Sequence, residues 1–456
     1  MSSDTIDNSR IPKVNAHNSN APSSPKKPNK TGQQPAKNVL YAQAGGVTAV
    51  INASAAAVIE TVQQHSDFFG KTYAALNGIK GVLEEELVDL SDISQATLER
   101  LKFQPGAAFK ACRFDLDPLD HNPAQYERVL EVFKRYEIGY FLYNGGNGSM
   151  VTAQKVADYC GQHGHPVICV GVPKTIDNDL DLSHCSPGFG SAAKYLATSF
   201  LEATQDIISM HETSTKFFIM ETMGRNTGWL TLSAALIKDI IPDVPLIILP
   251  AERAFNEDAF LRKVEALTTE KGYCVCAVSE GLQTANGEYI SIASIEHTHE
   301  RDYIQLGGAG TTLSHIVAQH FKRKTHCAIP DYLQRSASHL VSEVDWQMAY
   351  GAGKAAVKAA LEGLHGVLPI IELTSIEPFT WRYKTVDLNV VANLEKTVPD
   401  AFLTEDGMDV TEAALEYLRP LIQGERSVPF KKGLPDSRLI EFTTVDQQLT
   451  PFTAIK

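Results

Sequence analysis

From Asn38 onward the chain repeats one unit, a short apolar β-branched run, a glycine turn and a helix-period stretch. That alternation restricts it to a doubly wound α/β architecture with parallel strands. Residues 39–42 read as a strand, Gly45-Gly46 as its turn, and Thr48 as the cap of a helix through Ile51, Ala55 and Ile59. Residues 138–143 feed a turn at 144–148 and a helix over about 149–163, and residues 166–172 form another buried strand. Residues 217–220 run into 221–225 and a helix that takes in Trp229 and Leu232; two more buried strands cover 244–249 and 273–278, with a helix around 261–267 between them. At 456 residues the chain exceeds one ordinary core. The expectation is two Rossmann-like three-layer α/β domains with mainly parallel sheets, and a ligand site in the cleft between them, where strands end.

Residues 1–37 are rich in Ser, Asn, Pro, Lys and Gln and nearly lack large apolar side chains, so a disordered tail is expected there. The formal charge of −13, with no basic stripe to offset it, argues against nucleic acid as a partner and requires any anionic substrate to be held by local cations. Cys112, Cys160, Cys169, Cys185, Cys274, Cys276 and Cys327 are scattered and contain no C-x-x-C pair. Together with the lack of a membrane-length apolar run, they point to a reducing cytoplasm. Cys274 and Cys276 alternate on a strand and read as buried thiols, not as a metal pair.

The loop at 171–180 is the densest in chemistry. It follows a buried strand and holds Lys174, Thr175, Asp177 and Asp179. If its backbone stays extended, the two carboxylates point the same way, and a nearby lysine favours their charged forms. A cation for phosphate oxygens beside a carboxylate base suggests phosphoryl transfer; a solvated turn whose Asn-Asp pair caps the next helix accounts for the same residues equally well. Three further strand ends finish in glycine turns before helices, at Gly45-Gly46, at 145–149 and at Gly224-Arg225, where free amides attract anions. Neither a G-x-G-x-x-G fingerprint nor a Walker A loop is present, since Gly351-Ala352-Gly353-Lys354 lacks the earlier glycine.

Taken in order, Gly45-Gly46 with Asn52, Pro105-Gly106 leading to Arg113, the Gly-Gly-x-Gly-Ser turn at 145–149, Pro-Lys-Thr-Ile-Asp-Asn-Asp at 173–179, Met223-Gly224-Arg225, Ser279-Glu280-Gly281 and Tyr-Leu-Gln-Arg at 332–335 resemble the 6-phosphofructokinases. The form at 173–177 is most similar to the pyrophosphate-using branch. The resemblance implies transfer of a phosphoryl group to the C1 hydroxyl of fructose 6-phosphate. It gives Asp177 the role of general base, with Lys174 and Arg225 as catalytic cations. Thr175, Asp179, Lys216, Met223, Gly224, Glu280, Tyr332 and Arg335 fall on the sugar-phosphate site, Lys216 as a group donated across a subunit boundary. Gly45, Gly46, Arg113, Gly148 and Lys174 fall on the donor site, and Asn147 on the Mg2+ site. It also implies a cytoplasmic homodimer or homotetramer. The domains become discontinuous, 38–190 plus about 333–390 for the donor and about 191–332 plus 391–456 for the sugar phosphate.

The pattern is not complete. Gly148 stands where the pyrophosphate branch usually carries an aspartate that takes the place of a nucleotide's α-phosphate, so ATP is the alternative donor to pyrophosphate. Asn147 replaces a usual magnesium-binding aspartate and brings no charge. His326 lies near an expected arginine, Asp331 replaces a glycine, and Lys110 falls in a turn that is normally small. These departures raise a second alternative, a divergent homologue that binds sugar phosphate with little turnover.

Overall fold

The buried β-branched runs pair into two separate sheets, each sealed by helices on both faces. In the computed structural model the described residues are 36–297, 302–392, 394–426 and 428–453, so the tail expected over 1–37 lies outside them through residue 35. The strands are β1 (Asn38–Gln43), β2 (Thr72–Ala75), β3 (Leu87–Asp89), β4 (Ile138–Gly145), β5 (Ile168–Pro173), β6 (Phe217–Thr222), β7 (Leu246–Leu249), β8 (Cys274–Ser279), β9 (Ile292–His297), β10 (Asp302–Leu306), β11 (Thr325–Ala328), β12 (Val367–Ser375) and β13 (Thr380–Asp387). The first sheet has the order β13-β12-β5-β4-β1-β2-β3, parallel from β12 to β2, with antiparallel strands only at its two edges. The second has the order β11-β6-β8-β7 and is parallel throughout. β9 and β10 form an antiparallel hairpin.

Alternation along each strand explains the layers. In β1, Val39 and Tyr41 pack with Ala55 and Ile59 of the helix Ile51–Gln64 and with Ala356 and Ala360 of the helix Glu343–Leu361. Leu40 and Ala42 face the other way, onto Val129 and Phe133 and onto Met150 and Ala153. In β6, Phe217 and Ile219 meet Phe260, Val264 and Leu313, whereas Phe218 and Met220 meet Leu196 and Phe200 of the helix Phe189–Met210. The C-terminal stretch serves both sheets. Val398, Leu403, Leu415 and Leu418 join the core around Trp229, while Phe442 lies 4.8 Å from the Phe109 ring beside the first sheet.

Some local expectations shift. Thr48 makes no cap; Val50 precedes the first turn of Ile51–Gln64, and no side chain caps it. The helix after β4 begins earlier than the polar pattern suggested, at Asn147 with Gly146 before it, so its free amides open directly onto the glycine turn. Gly351 to Lys354 sits inside the helix Glu343–Leu361, where a Cβ on Gly353 would stand 2.4 Å from the Ser54 carbonyl oxygen; the glycine permits helix–helix contact, not phosphate binding. Cys274 and Cys276 are fully buried free thiols, as their alternation indicated. Among the described residues no helix is long and apolar enough to cross a membrane.

Candidate active site

The first sheet delivers three loops to one place. Beyond β1, Ala44 donates to Asn144 O at 2.8 Å and Gly45 to Cys112 O at 3.0 Å, which sets the 44–46 turn between β4 and the segment bearing Arg113. Beyond β5, Lys174 N donates to Gly145 O at 3.2 Å, joining the lysine loop to the glycine turn. The side chain of Lys174 is 4 % exposed, and its Nζ lies 3.5 Å from where a Cβ on Gly45 would be. Burial pushes the ammonium down to about 8, partly offset by Asp177 and Asp179 and reinforced by Arg335 and Arg113. At neutral pH it remains a cation held in a poorly solvated place.

The loop 174–179 is not extended. Thr175 bridges to Gly188 and accepts from Asp177 N at 3.0 Å through its hydroxyl, and Asn178 then turns left-handed at φ +56°. The reading of two carboxylates aligned by an extended backbone is therefore corrected: a turn at an Asn, which tolerates this conformation, separates them. Nor does the pair cap a helix, because the next one begins at Phe189. Asp177 is half-buried, and its carboxyl is pushed up to about 7, first by burial and then by the negative charges of Asp179 and Glu280, with Lys174 and Arg113 pulling it back. Burial also raises Asp179.

The second sheet supplies the opposite wall. The turn after β6 carries Met223, Gly224 and Arg225, and the residue after β8 is Glu280, whose Oε1 accepts from Gly224 N at 3.2 Å. Gly224 has φ +133°, and a Cβ there would lie 2.3 Å from Thr227 O, so no other residue fits. Glu280 is raised, first by burial and then by Glu221 and Asp331, while the Gly224 amide and the Arg225 charge lower it. The Thr227 hydroxyl ties the two walls together by donating to Asp177 O at 3.1 Å, and Met223 N donates to Gln334 Oε1 at 3.1 Å. Gln334 belongs to the short helix Leu333–Ser336, whose Arg335 stacks 3.9 Å from the Tyr332 ring. Its guanidinium also reaches across, placing Nη1 3.1 Å and Arg113 Nη2 3.9 Å from the Cβ position of Gly46.

Asn147 and Asp179 meet at the mouth of the glycine turn, Asn147 Nδ2 donating to Asp179 Oδ2 at 3.3 Å. The remaining oxygen of each, Asn147 Oδ1 and Asp179 Oδ1, is buried without a hydrogen-bond partner. Two orphaned hard oxygens beside the glycine turn suit a magnesium ion that keeps most of its waters. A Cβ on Gly148 would make an ordinary contact with Asp115 Oδ1 at 4.0 Å.

Lys216 is not brought to this cluster. It precedes β6, its Nζ donating to His211 O at 2.8 Å, and the length of β6 separates it from Met223 by roughly 20 Å. His326 lies at the same end, paired in register with Phe218. Asp331 has φ +45°, which explains why a glycine suits the position, and Lys110 is likewise left-handed at φ +56°. Thr227, Glu252, Glu395, Lys396 and Tyr417 were missed by sequence reasoning, although all hold the site's loops. Glu252 accepts from Gly228 N at 3.0 Å, and only Thr227 lies near a quoted motif.

The Phosphofructokinase family pattern matches residues 38–360. The chain is 48% identical over 399 residues to the pyrophosphate--fructose 6-phosphate 1-phosphotransferase of Xanthomonas campestris pv. campestris, covering 87% of this chain and 94% of that one. It is 44% identical over 404 residues to the protein of the same name from Methylococcus capsulatus, covering 88% and 95%. The crystal structure of the pyrophosphate-dependent phosphofructokinase from Nitrosospira multiformis superposes with a TM-score of 0.84 at 42% identity, covering 92% of this chain and 100% of that one. With two sheets sealed by helices, a buried lysine and a raised carboxyl on one loop at a strand end of the first, and these matches over most of its length, the chain belongs to the phosphofructokinase family.

Proposed function

We propose that the chain transfers a phosphoryl group from pyrophosphate to the C1 hydroxyl of fructose 6-phosphate, giving fructose 1,6-bisphosphate and orthophosphate. The observation that carries this reading is the pairing of buried Lys174 with the raised carboxyl of Asp177 on one loop, in a chain whose relatives at 48% and 44% identity bear that activity in their names. The C1 oxygen attacks the terminal phosphorus, Asp177 takes its proton, and the bridging P–O bond breaks to release orthophosphate. Lys174, Arg225 and Arg113 stabilise charge on the moving phosphoryl group, while the Gly46 amide, presented by the turn at Gly45, and the helix start at Asn147 hold the departing phosphate. Glu280, Met223 and Gly224 line the sugar, Tyr332 and Arg335 face its 6-phosphate, and Thr175 with Asp179 orients the loop. Asn147 and Asp179 would hold Mg2+, which when bound supplies charge neutralisation at the phosphate oxygens. Residues 38–190 with about 333–390 serve the donor and about 191–332 with 391–456 serve the sugar phosphate, although the end of that last segment, from Ile440, packs back on the first sheet, and the enzyme works in the cytoplasm. The test is a donor swap with purified chain, fructose 6-phosphate and Mg2+. Product with pyrophosphate and none with ATP supports the reading; product with ATP alone overturns the donor, and no product with either leaves only a binding protein.

The lack of a side chain at Gly148, whose Cβ position has Asp115 Oδ1 at 4.0 Å, favours ATP as the second reading of the donor. A carboxylate placed there would repel a nucleotide's α-phosphate, so Gly148→Asp is expected to cut any residual kcat/KM for ATP at least ~10-fold, the scale of one like-charge contact, while pyrophosphate turnover persists. Comparable losses with both donors would contradict this.

The distance of Lys216 and His326 from their own chain's cluster supports a homo-oligomer in which a neighbour completes the sugar-phosphate site. Lys216→Ala is expected to raise KM for fructose 6-phosphate ~10-fold or more, as for loss of a charge-assisted hydrogen bond, with KM for pyrophosphate unchanged. An active monomer in sedimentation, or an unchanged KM, would end this part of the proposal.

A further inference from the structure

Lys396 lies in no motif quoted above, yet its side chain runs beneath the loop that bears Asp177 and Asp179. Its Nζ has four oxygens around it: Ser183 O at 3.1 Å, His184 O at 2.6 Å, Tyr417 Oη at 3.2 Å and Asn178 Oδ1 at 3.4 Å. It also stands 4.8 Å from the Trp229 ring, so the cation is held by carbonyls and an aromatic face and not by a carboxylate contact. The backbone is engaged as well. Lys396 N donates to Asp179 O at 2.9 Å, Lys396 O accepts from Trp229 Nε1 at 2.8 Å, and Glu395 bridges to Leu180. The Glu395 carboxylate accepts from Asn226 Nδ2 at 2.9 Å, one residue beyond Arg225.

These contacts converge on Asn178. This fully buried residue makes the left-handed turn between the two aspartates, donates through Nδ2 to Tyr417 Oη at 2.8 Å and accepts through Oδ1 from Ser186 N at 2.9 Å. Tyr417 Oη in turn donates to His184 O at 2.6 Å. A lysine is a costly way to fill such a space, because its ammonium must be stripped of water and repaid by carbonyl contacts, whereas a methionine would fill it without that demand. What the charge provides is direction: its donors fix carbonyls of the loop and, through the Trp229 contact, the turn of the opposite sheet.

We propose that Lys396 is a positioning residue for phosphoryl transfer. With Tyr417 it sets the turn at Asn178, and so the placement of Asp177 and Asp179, and it keys that loop to the 223–229 turn so that base and Arg225 are presented together. The inference rests on the reading of Asp177 as the base, and two readouts separate the two ideas. In the full chain, Lys396→Met is expected to lower kcat ~10- to 100-fold, the scale of an ångström-level misplacement, with both KM values within about threefold, and Lys396→Arg to recover part of the loss. Tyr417→Phe, which deletes a single hydroxyl, is the gentler variant should Lys396→Met fold poorly, with a fall of ~3-fold or more from one lost hydrogen bond. Hydrogen exchange measured by mass spectrometry needs no turnover. Peptides covering 174–182 are expected to exchange at least ~10-fold faster in Lys396→Met while those covering β4 are unchanged, a local and not a global opening. Unchanged exchange at 174–182, exchange raised equally throughout, or kcat within twofold of wild type would overturn the proposal; absence of turnover in the wild type would sink the proposed function alone.

Discussion

Asp177→Asn is expected to lower kcat at least ~100-fold, the usual scale for loss of a general base, with KM for fructose 6-phosphate and for pyrophosphate changed little. The amide keeps the size of the carboxyl, and the backbone contacts that place the residue, Asp177 N to the Thr175 hydroxyl and Asp177 O from the Thr227 hydroxyl, do not involve the altered group. What disappears is the proton acceptor. The half-buried carboxyl is raised toward the working pH by burial and by Asp179 and Glu280, so it is a stronger base than an exposed aspartate while still ionising in neutral solution. Near-normal steady-state turnover in this variant would remove Asp177 from the chemistry.

Lys174→Met is expected to cost ~100- to 1000-fold in kcat/KM, as for removal of one preorganised charge donor at the reacting group, and to change the pH profile. In the wild type Asp177 must be deprotonated, so activity is lost as pH falls through about 7. Lys174 must be protonated, so activity is lost as pH rises through about 8. The expected kcat/KM profile is therefore a narrow bell that reports the free enzyme. In Lys174→Met the alkaline limb disappears and the acid limb moves upward, because the lysine's charge no longer lowers Asp177 while Asp179 and Glu280 still raise it. A variant that retains the wild-type alkaline limb would show that another group titrates there.

The strands at the centre of the two sheets, β1, β4, β5, β6, β7 and β8, were legible because they are buried on both faces and their apolar runs stop at turns, whereas β13, largely exposed, and β2, β3, β11 and β12 were not read. The loops at the strand ends of the first sheet were legible for the same reason: Gly45-Gly46, Gly145-Gly146 and Lys174 each lie at or directly beyond a strand end. The conformation within the loop was not. Asn178 reads as an ordinary turn residue, and its left-handed φ is imposed by Tyr417, Ser186 and Lys396, partners from other parts of the chain. Residues such as Glu252 and Lys396 act from connections with no periodicity or motif, through backbone groups a linear sequence does not reveal. Arg335 was legible as part of the Tyr-Leu-Gln-Arg run at 332–335, but its approach to Gly46 depends on how the segment after β11 folds back over the first sheet.

The most direct test is a crystal structure of the chain with fructose 6-phosphate bound. The expected result places the C1 hydroxyl oxygen about 3 Å from an Asp177 carboxylate oxygen, with the Lys174 ammonium and Arg225 guanidinium flanking the space where the phosphorus would pass. A sugar whose C1 hydroxyl faces away from Asp177, or one bound away from the junction of the two sheets, would contradict it.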